Sequence, residues 1–173
     1  MGAVEQHRSK SPRTLKVSVM TASTSRYLKL QKGEEVVDDS GMTAVNLLKD
    51  MGYEVEYLGI VNDEVAMIRE KLFEAISRGS DVVIITGGTG LSRRDLTIEA
   101  VRPLMEKEME GFGEILRVES YRRIGPPAAM TRATAGTINK KIVIALPGSP
   151  DAVRLAIEIF GRELPHFVYI AGS

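Results

Sequence analysis

The chain has no cysteine, no tryptophan and only two histidines, His7 and His166, among its 173 residues. Without cysteine there is no disulfide, no thiolate nucleophile and no Cys-ligated zinc. Two histidines near opposite ends leave no basis for a His-dependent triad or a His-rich metal site. Aromatic residues are scarce, at 5%. No apolar run approaches the roughly 20 residues that span a bilayer. The polar, slightly basic start, Met1 to Thr14, lacks the apolar centre of a secretory signal. Net charge is missing as well, because 23 Lys and Arg balance 23 Asp and Glu. No global field therefore draws the protein to nucleic acid or to an anionic membrane. These absences predict a cytoplasmic protein with neither partner, in which residues 1–14 form a disordered tail.

What is present fits one ordinary globular domain with a single core, at 43% hydrophobic and 27% charged residues. Strand and helix patterns alternate along it. Lys16–Ala22 reads as a strand with Val17 and Val19 apolar, followed by a polar loop over residues 23–37. Residues 40–51 read as a helix with Ala44, Val45, Leu47 and Leu48 inward, stopped by Gly52. A strand over 53–60 precedes a helix over 64–78, striped by Val65, Ile68, Leu72 and Ile76, with Asp63 as its N-cap. A short helix starts at Thr97, and Pro103 begins a new one. Residues 113–123 are helical until Pro126-Pro127. Strands over 133–138 and Lys141–Leu146 flank Asn139-Lys140, a hairpin signal. Residues 151–164 form the last helix. The pattern predicts a doubly wound, three-layer α/β domain over residues 15–173, its sheet mostly parallel with one antiparallel hairpin.

The richest stretch is Asp81-Val82-Val83-Ile84-Ile85-Thr86-Gly87-Gly88-Thr89-Gly90, followed by Arg93-Arg94-Asp95. An uninterrupted apolar, β-branched run is a strand buried on both faces. The Gly and Thr residues after it free backbone N–H groups to turn toward a ligand, and a helix start adds a positive dipole end, which suits phosphate. The plainer reading is a tight strand-to-helix turn. Polar clusters at Ser23, Asp63, residues 87–95 and Gly148 all follow strands. In a doubly wound sheet they converge beyond the strands' carboxyl ends, where ligands bind.

Thr86-Gly87-Gly88-Thr89-Gly90 with Arg94-Asp95, then Glu110-Gly111-Phe112-Gly113-Glu114, then Leu146-Pro147-Gly148-Ser149-Pro150, resemble the MogA/MoaB family of molybdenum and tungsten cofactor biosynthesis. The resemblance runs from about Lys16 to Leu164 in order and spacing. It implies transfer of AMP from Mg-ATP to the terminal phosphate of molybdopterin, with release of pyrophosphate. A phosphate nucleophile is largely deprotonated near neutral pH, so no general base is needed and a chain poor in His suffices. Asp63 and Asp95 match the acidic positions that the family uses for Mg²⁺ and catalysis. From the residues alone the helix N-cap is the favoured reading of Asp63, and a cap for the Thr97 helix competes for Asp95. Either role can coexist with metal binding, because a capping carboxylate has a spare oxygen. Asp38, Ser40 and Gly41 match an Asp-x-Ser-Gly segment assigned to the pterin or its phosphate, against a plain helix start capped by Ser40. Ser120, Thr131 and Arg132 match substrate-pocket positions, whereas Arg123 has no such match. Pro147, Gly148 and Ser149 offer N–H donors to a phosphate, or a simple helix entry.

The sequence departs from the family pattern at Thr24 (often Asp), Met42 (often Pro) and Asn62 (often Pro). The resemblance further implies a homotrimer or homohexamer and handover to a molybdate-insertion protein. The apolar residues Phe160, Phe167, Tyr169 and Ile170 near the C-terminus are interface candidates that a monomer's core could use equally well. Two alternatives stay open: a non-catalytic pterin-binding scaffold, and a CinA-like nucleotide-sugar pyrophosphatase. A dinucleotide-binding dehydrogenase is a poor fit, because the loop lacks Gly-x-Gly-x-x-Gly spacing.

Overall fold

A computed structural model describes residues 8, 10–12 and 14–173. The tail expected over residues 1–14 lies mostly outside these. The strands are β1 (Lys16–Ala22), β2 (Glu54–Val61), β3 (Val82–Thr86), β4 (Lys107–Glu108), β5 (Thr134–Ile138) and β6 (Lys141–Leu146). They form one six-stranded sheet in the order β2-β1-β3-β6-β5-β4. β2, β1, β3 and β6 are parallel, while β5 and β4 run antiparallel to their neighbours. The mixed sheet with one hairpin is as expected.

The helices are α1 (Thr24–Gln31), α2 (Asp39–Asp50), α3 (Val65–Ser77), α4 (Thr97–Val101), α5 (Glu110–Ile124), α6 (Pro150–Phe160) and α7 (Leu164–Gly172). Alternation along β3 explains the three layers. Val82 and Ile84 join a core with Leu48 of α2, Leu116 of α5 and Val153 of α6. Val83 and Ile85 face the other way, toward Ile68 and Leu72 of α3 and Ile98 of α4. Leu48 and Leu72 are wholly buried, each stabilising by about 1.5–3 kcal/mol relative to exposure. The chain leaves β1 through α2 to reach β2 at the sheet edge, then returns through α3 to β3 on the other side of β1. The two connections diverge there, so the carboxyl ends of β1 and β3 open a crevice.

Three local expectations need correction. Residues 23–37 are not all loop, because α1 occupies Thr24–Gln31 with Ser23 as its N-cap, accepting from Arg26 N at 3.5 Å. No residue of α1 is buried, so the helix adds nothing to the core. The last helix is two: Gly161–Glu163 forms a 3-10 turn between α6 and α7. Phe160 belongs to the core, stacked on Phe112 at 4.4 Å between ring centroids, and Phe167 packs against it. Of the proposed interface residues, Ile170 is the most exposed.

The hairpin turn is of the primed type, with Asn139 and Lys140 at φ of 50° and 60°. Pro103 does not begin a new helix: it is the second residue of a three-residue 3-10 turn, Arg102–Leu104, that follows α4 directly. No helix among the described residues is long and apolar enough to cross a membrane.

Candidate functional site

A cleft of about 770 Å³ occupies the switch point. It gathers most of the residues singled out above: Ser23 after β1, Asp63 after β2, Gly87, Gly88, Thr89, Gly90, Arg94 and Asp95 after β3, Thr131 before β5, and Pro147, Gly148 and Ser149 after β6. Asp38, Ser40, Gly41, Thr86, Ser120 and Arg132 are not among the cleft's lining residues.

The loop after β3 is glycine for reasons that lie inside the protein. Gly87 sits at φ +84°, and a Cβ there would stand 2.3 Å from the carbonyl oxygen of Ala22. Gly88, at φ +61°, would place one 2.3 Å from Thr97 Oγ1 and 2.5 Å from Asp63 Oδ2. Side chains are excluded because α4 and the acidic residue crowd the loop from behind. The backbone polarity of this loop is equally ordered. The carbonyls of Gly87 and Gly88 accept from Thr97 Oγ1 (2.8 Å) and Thr97 N (2.9 Å). That of Thr89 accepts from Arg132 Nε at 2.9 Å. The N–H groups of Gly88, Thr89 and Gly90 have no acceptor among the described residues. Successive free N–H groups at a cleft form an anion-binding concavity.

Asp63 caps nothing. Glu64 holds the N-cap position of α3 without a side-chain bond, because the Asp63 carboxylate turns across to accept from Leu96 N at 2.9 Å through Oδ1. Asp95 does not cap α4 either; Leu96 holds that position, and Asp95 Oδ2 accepts from Ser92 N at 2.9 Å. Each carboxylate is left with one oxygen outside the hydrogen bonds of the described residues. Burial raises the Asp63 pKa above its ordinary value; the Leu96 N–H opposes this, while repulsion from Asp95 and Glu99 adds to it. A cation would relieve that repulsion. No cluster of three or more acidic or imidazole side chains suited to a metal occurs among the described residues. Mg²⁺ needs only one or two carboxylates when phosphate oxygens and water complete its shell. Asp63 and Asp95 fit that demand.

Next to the cleft lies a buried polar network built on Asp38. It is Asp38, not Ser40, that caps α2, accepting from Gly41 N and Ser40 Oγ, both at 3.1 Å. The Tyr57 hydroxyl donates to its other oxygen. Ser40 continues to Thr86 Oγ1 at 3.3 Å, and Thr86 to Thr21 at 2.8 Å. Burial, and then the bond to Asp38, push the Tyr57 phenol well above its usual pKa. The network ends at Thr21 and Thr86, which immediately precede the cleft residues Ala22 and Gly87. Ser120 is buried on α5, away from the cleft lining.

Arg26 is a cleft residue that sequence reasoning missed. It lies on α1 at 3.7 Å from Asp38 Oδ1, with its side chain one-third exposed. Ser25, Ser92, Pro127 and Met130 also line the cleft. The available signal was Ser23 as a cap ahead of helix formers in the sequence Tyr27-Leu28-Lys29-Leu30-Gln31. The Arg94 side chain has no hydrogen-bond or ion-pair partner among the described residues, so it is available to a ligand.

Residues 18–166 match the family described as "Probable molybdopterin binding domain". A molybdopterin adenylyltransferase of Pyrococcus furiosus is 43% identical over 169 residues, covering 95% of this chain and 96% of its own length. The chain belongs to the MogA/MoaB family. Molybdenum cofactor biosynthesis protein B of Staphylococcus aureus, another relative, is 40% identical over 169 residues, again 95% and 96% of the two chains. The crystal structure of the tungsten cofactor synthesizing protein MoaB from Pyrococcus furiosus superimposes with a TM-score of 0.83 at 42% identity, covering 94% of this chain and 100% of that one.

Proposed function

We propose that this chain transfers AMP from Mg-ATP to the terminal phosphate of molybdopterin, releasing pyrophosphate, in molybdenum or tungsten cofactor biosynthesis. One observation carries the reading: at the switch-point cleft, three N–H groups without acceptors among the described residues meet two carboxylates with oxygens to spare. The name of the Pyrococcus furiosus relative supports it, at 43% identity over nearly the whole of both chains.

The chemistry asks little of titratable side chains. A phosphomonoester has a second pKa of about 6, so the attacking oxygen already carries its charge near neutral pH. That oxygen bonds to the α-phosphorus of ATP, the bond from α-phosphorus to the bridging oxygen breaks, and pyrophosphate leaves with the electron pair. The barrier is the approach of two polyanions. The loop N–H groups bind phosphate oxygens, and Arg94 and Arg26 place positive charge at the cleft wall. Asp63 and Asp95 would hold the Mg²⁺ that accompanies ATP; when bound, it neutralises charge on the phosphate oxygens.

Exposed Ile115, Val118, Tyr121 and Ile124 give α5 an apolar outer face, which supports a closed homo-oligomer, a trimer or a pair of trimers. A cytoplasmic setting and handover to a molybdate-insertion protein complete the proposal. The test is incubation with molybdopterin and Mg-ATP. Pyrophosphate and an adenylylated pterin are expected. Pterin binding without pyrophosphate would assign a scaffold, and nucleotide hydrolysis without pterin a pyrophosphatase.

A further inference from the structure

We propose that Arg132, braced by Glu99, is a positioning residue that fixes the loop of residues 87–90 in its phosphate-binding orientation without touching the phosphate. The inference deepens the reading of the cleft as a phosphate site and rests on it.

A trans peptide is planar, so its carbonyl and the following N–H point in opposite directions. Tying three successive carbonyls therefore sets the direction of the N–H groups of Gly88, Thr89 and Gly90. Thr97, wholly buried at the start of α4, holds the carbonyls of Gly87 and Gly88. The third, that of Thr89, depends on Arg132 Nε at 2.9 Å. Arg132 stands 43 residues along the chain from Thr89 and is itself held by a fork to Glu99, with contacts of 2.8 and 3.0 Å. Glu99 lies in the first turn of α4. One short helix thus controls all three carbonyls, two directly through Thr97 and one through the Glu99–Arg132 pair.

The same geometry argues against Arg132 as an anion contact. Its hydrogen bonds to Thr89 and Glu99 engage three of the five guanidinium N–H donors. Its charge is matched by Glu99, whose carboxyl it holds below the ordinary value through that bond. Its neighbour Thr131 lines the cleft and Arg132 does not. Only a guanidinium can present Nε to one acceptor and a fork to another, so Lys is not an equivalent.

The two roles predict opposite signs for one variant. If Arg132 bound phosphate, Glu99→Gln would free it and remove a nearby negative charge, and Mg-ATP would bind more tightly. A brace loses its anchor instead. The expected result in calorimetric titration with Mg-ATP is binding about 3- to 10-fold weaker in Glu99→Gln and about 10-fold or more weaker in Arg132→Ala. Arg132→Lys should give no rescue. Glu99→Gln added to Arg132→Ala should weaken binding no further, since Glu99 reaches the loop through Arg132 and its remaining effect, repulsion of Asp63 and of the ligand's phosphates, is removed. In turnover assays KM for Mg-ATP should rise while KM for molybdopterin holds. Glu99→Gln is exposed enough to fold whatever becomes of Arg132→Ala. Equal or tighter Mg-ATP binding by Glu99→Gln, with the parent binding normally, overturns the positioning role alone. A parent protein that does not bind Mg-ATP overturns the phosphate-site reading and this inference with it.

Discussion

Replacing Asp63 with Asn should make the unliganded protein more stable while slowing adenylyl transfer. Asp63 is only 8% exposed, and its one hydrogen bond among the described residues comes from Leu96 N at 2.9 Å. Burial opposes its ionisation more than that bond favours it, and Asp95 and Glu99 add repulsion. Its folded-state pKa therefore stands above the unfolded one. The stabilisation from its protonated form is full below the unfolded pKa, about 3.9, and is lost as pH rises through the folded value. Asn keeps the shape and the Oδ1 acceptor but carries no charge. It forgoes roughly 1 kcal/mol of charge-assisted hydrogen bonding and gains more than that in relieved desolvation. The net gain is on the order of 1 kcal/mol at pH 7.5, which is about 2–4 °C in Tm for a chain of this size. Thermal melts in metal-free buffer should show the gap opening between pH 4 and pH 7.5. Mg²⁺ should narrow it by stabilising only the parent. Adenylyl transfer should fall roughly 10²-fold or more. A lower Tm for Asp63→Asn at pH 7.5 would make Asp63 a structural carboxylate and refute the reasoning.

Gly88→Ala should cost about 2 kcal/mol or more in denaturant unfolding and slow turnover, because a Cβ at φ +61° would collide with Thr97 and the Asp63 carboxylate. Tyr57→Phe removes a donor from the buried Asp38 carboxylate and should lower stability by about 1.5–3 kcal/mol in urea titrations. Arg26→Ala should leave stability nearly unchanged, since Asp38 retains Tyr57, Ser40 and Gly41 as donors, yet weaken pyrophosphate binding about tenfold in calorimetry. Unchanged pyrophosphate affinity would remove Arg26 from the site.

The layered fold was legible because its signals are local. The unbroken apolar run of β3 marks a strand buried on both faces, and Asn139-Lys140 marks a primed turn. α1 went unread, since none of its residues is buried and only the Ser23 cap and a short run of helix formers mark it. Chain order predicted that Ser23, Asp63, the glycine loop and Gly148 would converge, and they do. It did not predict what Asp63 and Arg132 hold. Asp63 answers to Leu96 and Arg132 to Glu99, each 33 residues away, and such pairings have no period to read. Local rules therefore offered caps for Asp63 and Asp95, but Asp63 is taken by Leu96 across the fold and Asp95 folds back on Ser92 three residues before it. Asp38 shows the reverse: the capping rule was sound, but Asp38 filled the role assigned to Ser40.

The most direct test of the central claim is a single-turnover assay with molybdopterin and Mg-ATP, following pyrophosphate release and adenylylated pterin in the parent and in Asp95→Asn. Asp95 is the cleaner probe, because among the described residues its carboxylate accepts only from the local Ser92 N–H. The parent is predicted to form both products in equal amounts, and Asp95→Asn to do so roughly 10²-fold or more slowly while binding molybdopterin as before. Equal rates in the two proteins, or no product from the parent with both substrates bound, would contradict the account.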